Sequence, residues 1–89
     1  MELDITKTIP EKIPQRILES LGAYVNERRP TGGFLRAILE NNLMEAMGRA
    51  DEDNRQCLFH IVSYIYNELP MDCWGSPEKV RDWLNAKKT

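Results

Sequence analysis

The sequence has little of what marks several large classes of protein. It contains five Gly, five Pro, two Cys and one His in 89 residues, so it is not collagen-like, of low complexity or a disulfide-rich small domain. Its longest stretch without a charged residue, 56–67, is much shorter than the ~20 apolar residues of a membrane span. The acidic N-terminus is followed by no apolar segment, so we expect neither a secretory signal nor a membrane association.

An excess of positive charge is also missing. Twelve Lys and Arg side chains stand against fourteen Asp and Glu, which gives a formal net charge of −2. Nucleic-acid-binding proteins usually carry a basic surface, because contacts to phosphate supply most of their non-specific affinity. We therefore do not expect a nucleic-acid partner. The acidic excess lies in residues 31–56, around the run Asp51, Glu52 and Asp53.

What the sequence does contain is a repeated three-to-four-residue spacing of apolar side chains, the pattern of amphipathic helices. Strand patterns are nearly absent. The spacing predicts helices over about 14–28, 34–41, 43–49, 51–69 and 77–86. We therefore predict an all-α fold, a compact single-domain bundle of about five helices, two long and three short. The helical domain covers residues 12–89, and residues 1–11 form an N-terminal arm.

Polar residues mark several of the predicted helix starts. Thr31, Asn42 and Ser76 are candidate N-caps, because their side-chain oxygens can accept hydrogen bonds from backbone N–H groups of the first turn. Asp51 begins the fourth helix, where the acidic run suits the positive end of the helix dipole without any ligand. On the third helix we expect three large apolar side chains to be buried, Leu43, Met44 and Met47.

The two cysteines and the histidine are the first candidates for chemistry. Cys57 and His60 form a C-x-x-H step that Cys73, with Asp72, could complete as a zinc site, but zinc sites usually have two paired sets of ligands. A thiol beside a core stripe is a poor nucleophile, so we expect Cys57 to be a small core residue. No phosphate loop or dinucleotide motif is present. We expect no catalytic residue, no metal, no cofactor and no enzyme activity.

The second and third predicted helices, joined by a short turn, also match a helix-turn-helix. The recognition helix would be 43–50, which leads into the acidic run 51–53. Only Arg49 and Arg55 could contact phosphate there. A small nucleic-acid-associated regulator is therefore the alternative function.

Adaptable and amphipathic side chains near loops and helix ends favour a protein-binding function. Methionines and aromatic residues are common at contacts, although a domain this small also needs large apolar side chains for its core. We expect the contact surface to include the loop 70–76 and the acidic segment 45–53. The candidate partner-binding residues are Glu45, Arg49, Asp51, Met71 and Trp74.

Several motifs resemble small uncharacterised proteins of phage and prophage genomes. They are PTGGFLRAIL at 30–39, NLMEA at 42–46, GRAD at 48–51, YIYNELP at 64–70 and CWGSP at 73–77, continuing to Trp83. The resemblance covers about residues 12–84, carries no assigned activity and transfers no functional residue. It implies a phage or mobile-element accessory protein in the bacterial cytoplasm. We expect such a protein to bind a host factor or a second copy of itself.

Overall fold

The computed structural model describes residues 13–86, and this part of the chain folds into six α-helices, one 3₁₀ turn and no strand. The elements are α1 (Gln15–Glu27), α2 (Gly33–Leu39), α3 (Leu43–Arg49), α4 (Glu52–Gln56), α5 (Leu58–Glu68), the 3₁₀ turn (Met71–Cys73) and α6 (Pro77–Asn85). The all-α prediction is confirmed. The predicted boundary between arm and domain lies outside the described residues.

One apolar core is built from the predicted helical stripes. Ile17, Leu21 and Tyr24 of α1 are buried at spacings of four and three residues, as the periodicity predicts. Each such side chain contributes about 1.5–3 kcal/mol when it is fully removed from water. The other helices that reach the core contribute Leu35, Ile38 and Leu39 of α2, Ala46 of α3, Ile61 and Ile65 of α5, and Val80 of α6.

The helix predicted over 51–69 is two helices, α4 and α5, which raises the described number of α-helices from five to six. Cys57, between them, has φ −102° and ψ 3°, outside regular helical geometry. The reason lies in the apolar stripe, which begins only at Leu58. Residues 52–56 contain no apolar side chain, so nothing holds α4 on the axis of α5. The side chain that α4 buries is the polar Asn54.

Two predicted N-caps are confirmed and one is displaced. Asn42 Oδ1 accepts a hydrogen bond from the Glu45 N–H at 3.3 Å, and Ser76 Oγ accepts one from the Lys79 N–H at 3.1 Å. Thr31 does not cap α2, because Gly32, in extended geometry, occupies the N-cap position directly before the first helical residue, Gly33. The Thr31 hydroxyl donates instead to the Gly32 carbonyl at 3.2 Å.

The buried side of α3 differs from the prediction. Leu43, Met44 and Met47 are 51%, 84% and 41% exposed, whereas Ala46 is completely buried. Ala50, just after the helix, is also buried. The alanines face the core because the short connection from α2 brings α3 close to it, where only small side chains fit. The large apolar side chains of α3 therefore face outward.

Buried and partly buried hydrogen bonds join α1 and its C-cap residue Arg28 to the C-terminal part of the domain. The Tyr24 hydroxyl donates to the Cys73 carbonyl at 2.8 Å, and the Trp83 Nε1–H donates to the Tyr24 carbonyl at 3.0 Å. Arg28 donates to the Trp83 carbonyl at 3.2 Å, and its guanidinium carbon lies 3.6 Å from the centroid of the Trp83 ring. The first bond fixes Cys73 of the loop 70–76 to α1, and the other contacts hold Trp83 of α6 against the C-terminal end of α1.

Candidate functional site

Large side chains on the outer side of α5 and in the following loop form a surface that is largely apolar. Phe59, Tyr66 and Met71 are 67%, 69% and 69% exposed, and Trp74 is half-buried. Phe59 and Tyr66 are seven residues apart, so they lie on the same side of α5, about 10 Å apart along its axis. The rings of Tyr66 and Trp74 are in contact, with centroids 5.7 Å apart. These four residues are hereafter the aromatic face.

A second exposed apolar surface lies on α3. It consists of Leu43, Met44 and Met47, hereafter the methionine face, on the sides of the helix that the buried Ala46 does not occupy. Their positions i, i+1 and i+4 fall within about 100° around the helix axis. Three neighbouring apolar side chains therefore face solvent on a helix of seven residues.

A backbone hydrogen bond joins the loop 70–76 to α2, the helix that precedes the methionine face. The Gly75 N–H donates to the Leu39 carbonyl at 2.7 Å, which holds the loop 70–76 against the C-terminal end of α2. Three residues connect Leu39 to Leu43, the first residue of the methionine face, and Trp74 of the aromatic face directly precedes Gly75.

The loop that supports the aromatic face is well anchored. The Trp74 Nε1–H donates to the Leu69 carbonyl at 3.3 Å, and Lys79 Nζ donates to the Met71 carbonyl at 3.3 Å. Gly75 has a φ of +125°, a backbone conformation that residues other than glycine rarely adopt. Trp74 is therefore a support for the Tyr66 ring, with its own polar atom already hydrogen-bonded.

The sequence-predicted site residues lie in three places, and no hydrogen bond or ion pair of residues 13–86 joins those places. Glu45 and Arg49 form an ion pair at 2.6 Å and line a cleft of about 290 Å³ between α2 and α3. Asp51 caps α4 by accepting a hydrogen bond from the Asn54 N–H at 2.8 Å, and it pairs with Arg16 at 3.5 Å. Met71 and Trp74 belong to the aromatic face.

Sequence reasoning missed Phe59 and misplaced Leu43. The signal for Phe59 was present, because this large aromatic residue lies off the stripe formed by Leu58, Ile61 and Ile65, on the outer side of the same helix. No comparable signal was available for Leu43. Its exposure depends on how closely α3 approaches α2, which periodicity does not report.

The thiols and the histidine show no catalytic arrangement. Cys73 is completely buried, and burial raises the pKa of its thiol from 9.0 to about 11, so the thiol is neutral and unreactive near pH 7. Cys57 is half-buried against the core, and both thiols are free. His60 Nδ1 is buried without a hydrogen-bond partner. Between residues 13 and 86, no three His, Cys, Asp or Glu side chains are grouped to hold a metal ion.

The helices of the described part of the chain are all too short or too polar to cross a membrane. Comparison with known proteins gives no family model, no curated protein and no solved structure that matches this chain. Any statement about function therefore rests on the chain's own surfaces.

Proposed function

We propose that this protein acts by binding another protein through the aromatic and methionine faces. One observation carries the proposal, the exposure of six large apolar side chains at 41–84%. A domain of 89 residues would bury such side chains if its own stability were their role. Contiguous exposed apolar surface on a small protein is typical of a contact with a partner.

The composition of the two faces supports this proposal. Tyr and Trp are enriched among the residues that contribute most to binding, and they are most effective when they are held rigidly. The contact with Trp74 restricts the Tyr66 ring in this way. Methionine side chains on α3 and in the 3₁₀ turn can adapt their shape to an irregular surface. We expect the aromatic face to supply anchors and the methionine face to supply adaptable contact area.

Charged pairs near the faces suit a polar rim. Glu45 and Arg49 pair on α3 at 2.6 Å, and Arg36 and Glu40 pair on α2 at 2.7 Å. Exposed pairs of this kind add little affinity but influence the rate and selectivity of association. In the proposed complex these pairs select among partners, and the apolar faces supply most of the binding free energy.

The resemblance to phage and prophage proteins suggests the setting. In this proposal the chain is an accessory protein of a phage or mobile element that binds and modulates a host protein in the bacterial cytoplasm. The two free thiols, Cys57 and Cys73, suit a reducing compartment.

The nucleic-acid alternative has less support. The helix that would enter the major groove is α3, and its outward side carries Leu43, Met44 and Met47 in place of cations. Arg49 is paired with Glu45 at 2.6 Å, and Arg55 lies 3.8 Å from Glu52. Phosphate contacts require cations that are free to neutralise them.

Affinity capture with matched variants tests the proposed function. The bait is the full chain, and the face variant carries Phe59→Ser with Tyr66→Ser. The control variant carries Glu19→Ser with Arg81→Ser, two exposed positions outside both faces. We expect wild type and control to capture the same protein from a bacterial lysate, and the face variant to lose at least nine-tenths of it, given that anchor residues often contribute 2 kcal/mol or more, about thirtyfold in affinity.

Two results would contradict the proposal. One is full retention of the captured protein by the face variant. The other is salt-dependent binding of DNA by the purified wild type, with the face variant binding the same DNA equally well. Sedimentation of the purified protein shows in addition whether the captured partner is a second copy of the chain.

A further inference from the structure

Among the described helices, α5 alone has an outer side without a charged residue. Its only Asp, Glu, Lys or Arg residue is Glu68. Phe59 and Tyr66 lie on the outer side, with the half-buried Val62 and Ser63 between them. Glu68 follows Phe59 by nine residues, which places it about 180° away around the helix axis, and it lines a cleft against α1. A partner on the outer side therefore meets no carboxylate, ammonium or guanidinium group of α5.

The residues of this outer side are arranged symmetrically along the helix. Phe59 and Tyr66 are equally distant from the midpoint between Val62 and Ser63. Because seven residues complete nearly two turns, the two aromatic side chains lie within about 20° of one another around the axis. Val62 and Ser63 lie about 50° to either side of that direction. The helix therefore presents an aromatic ring at each end and two smaller side chains at the centre.

A second copy of the chain is the partner that matches this arrangement. A rotation of 180° about an axis through the midpoint makes the two α5 helices antiparallel and places Phe59 of each copy against Tyr66 of the other. In such an isologous contact, a residue near the axis meets its own copy. A charged residue there would be repelled by the same charge, and this side of α5 has none. The positive N-terminal end of each helix also lies beside the negative C-terminal end of the other.

The exposed apolar area determines how strong this contact can be. Phe59, Tyr66 and Met71 are 67%, 69% and 69% exposed. Side chains of this size bury about 150–250 Å² each when they are fully covered, so the three supply roughly 300–500 Å² per copy. Together with the residues between them, two copies bury about 1,000 Å², the lower limit for a specific interface. A contact of this size is weak, so the copies separate at low micromolar concentration.

We propose that the aromatic face binds a second copy of this chain, with the two α5 helices antiparallel about a two-fold axis between Val62 and Ser63. Phe59 of each copy packs on the Tyr66 ring of the other, which Trp74 supports at 5.7 Å between ring centroids. The inference rests on the proposed function, because it names the partner of one of the two faces. The methionine face takes no part in the dimer and stays accessible to a different protein.

Two added cysteines test the proposed axis. Ser63→Cys and Asn67→Cys each add one thiol to α5 outside the core, at a half-buried and an exposed position. In the antiparallel pair, the two Ser63 positions are offset by about 1.5 Å along the helices, and the two Asn67 positions by about 14 Å. A disulfide needs Cβ atoms within about 4.5 Å.

We therefore expect mild oxidation of the concentrated full chain to convert most of Ser63→Cys to a covalent dimer. Asn67→Cys should give at least tenfold less, because its thiols cannot meet. Both variants are compared on a non-reducing gel. Wild type, whose free thiols are Cys57 and Cys73, gives the background.

Sedimentation equilibrium measures the contact without a crosslink. We expect wild type to be monomeric at about 5 µM and mostly dimeric near 1 mM. Phe59→Glu places a carboxylate against Tyr66 of the second copy, so this variant should remain monomeric over the whole range. Position 59 is exposed, and circular dichroism verifies that the variant keeps its helices.

Three results would overturn the inference: a monomeric wild type near 1 mM, equal crosslinking of Ser63→Cys and Asn67→Cys, or a Phe59→Glu variant that dimerises like wild type. If wild type stays monomeric while affinity capture still depends on Phe59 and Tyr66, a different protein occupies the face and only this inference fails. If wild type dimerises as proposed but the face variant still captures the lysate protein in full, only the proposed function fails.

Discussion

Replacing Tyr24 with Phe removes one buried hydroxyl without changing the packing of the ring. Tyr24 is 1% exposed, and its hydroxyl donates to the Cys73 carbonyl at 2.8 Å. The loss leaves that carbonyl without this donor in a region closed to water, which costs about 1–3 kcal/mol. For a domain of this size, each kcal/mol corresponds to about 4–8 °C in melting temperature. We therefore expect Tyr24→Phe to melt roughly 4–24 °C below wild type.

The assay is thermal unfolding followed by circular dichroism at 222 nm, with urea unfolding to obtain the free energy. Tyr66→Phe is the matched control, because Tyr66 is 69% exposed and its hydroxyl faces water. The control should stay within about 0.5 kcal/mol of wild type. Equal stabilities of Tyr24→Phe and Tyr66→Phe would refute the assignment of this hydrogen bond as the link between α1 and the loop 70–76.

The difference in stability between wild type and Tyr24→Phe depends on pH, and the pKa of Tyr24 determines the direction of the change. Burial raises the pKa of Tyr24 above its ordinary value of about 10, so the folded state favours the neutral hydroxyl. The stability that the neutral Tyr24 hydroxyl contributes is fully present below the unfolded-state pKa of about 10, and it is lost as the pH rises above that value. The stability difference between wild type and Tyr24→Phe should therefore shrink above about pH 10. A constant difference from pH 7 to 11 would contradict the buried, neutral hydroxyl.

Three further predictions follow from the core, α3 and the capping residues. Burial raises the pKa of Cys73 from 9.0 to about 11, so wild type should lose stability as the pH rises from 8 to 10. Cys73→Ala lacks this thiol, and its stability, measured by urea unfolding, should fall less over the same pH range. Ala46→Leu should destabilise by about 1–3 kcal/mol through overpacking, whereas Met44→Leu should leave the melting temperature nearly unchanged. Ser76→Ala should cost about 1 kcal/mol through the lost N-cap, and Ser76→Asp should restore most of it.

The sequence was sufficient for the fold class because α1, α5 and α6 are held by clear apolar stripes. Tyr24 lies where its spacing from Ile17 and Leu21 places it, and Ser76 caps α6 as its residue type indicates. These features depend on residues close together in the chain. Local physical chemistry therefore determines them almost completely.

Features that depend on contacts between distant segments were not predictable in the same way. On α3 the apolar residues Leu43, Met44, Ala46 and Met47 fall within one arc of about 160° around the helix axis. Ala46 and Met44 lie at its two ends, so periodicity cannot choose between them as the buried residue. The packing of α3 against α2 determines which of the two side chains is buried. The break at Cys57 similarly reflects the absence of a core contact for α4. The burial of Asn54 beside α1 is a tertiary feature that no local pattern indicated.

The candidate surface was predicted in part for the same reason. Met71 and Trp74 were predicted from the sequence because methionine and aromatic side chains in short loops are common at protein contacts. The contact of Trp74 with Tyr66, whose ring centroids lie 5.7 Å apart, joins the loop to α5 and is a tertiary feature that the sequence pattern does not report. Glu45, Arg49 and Asp51 were candidates because of their charge. Glu45 and Arg49 pair with each other within α3, and Asp51 pairs with Arg16 of α1.

Hydroxyl-radical footprinting of the captured complex tests the central claim most directly. Methionine and aromatic side chains react readily with the radical, and exposure controls their rates. We predict that Met44, Met71, Phe59 and Tyr66 are oxidised rapidly in the free protein and are protected at least fivefold in the complex, because partner contact removes most of their exposed area. Unchanged oxidation of these four residues, with protection elsewhere on the domain, would contradict binding through the two faces.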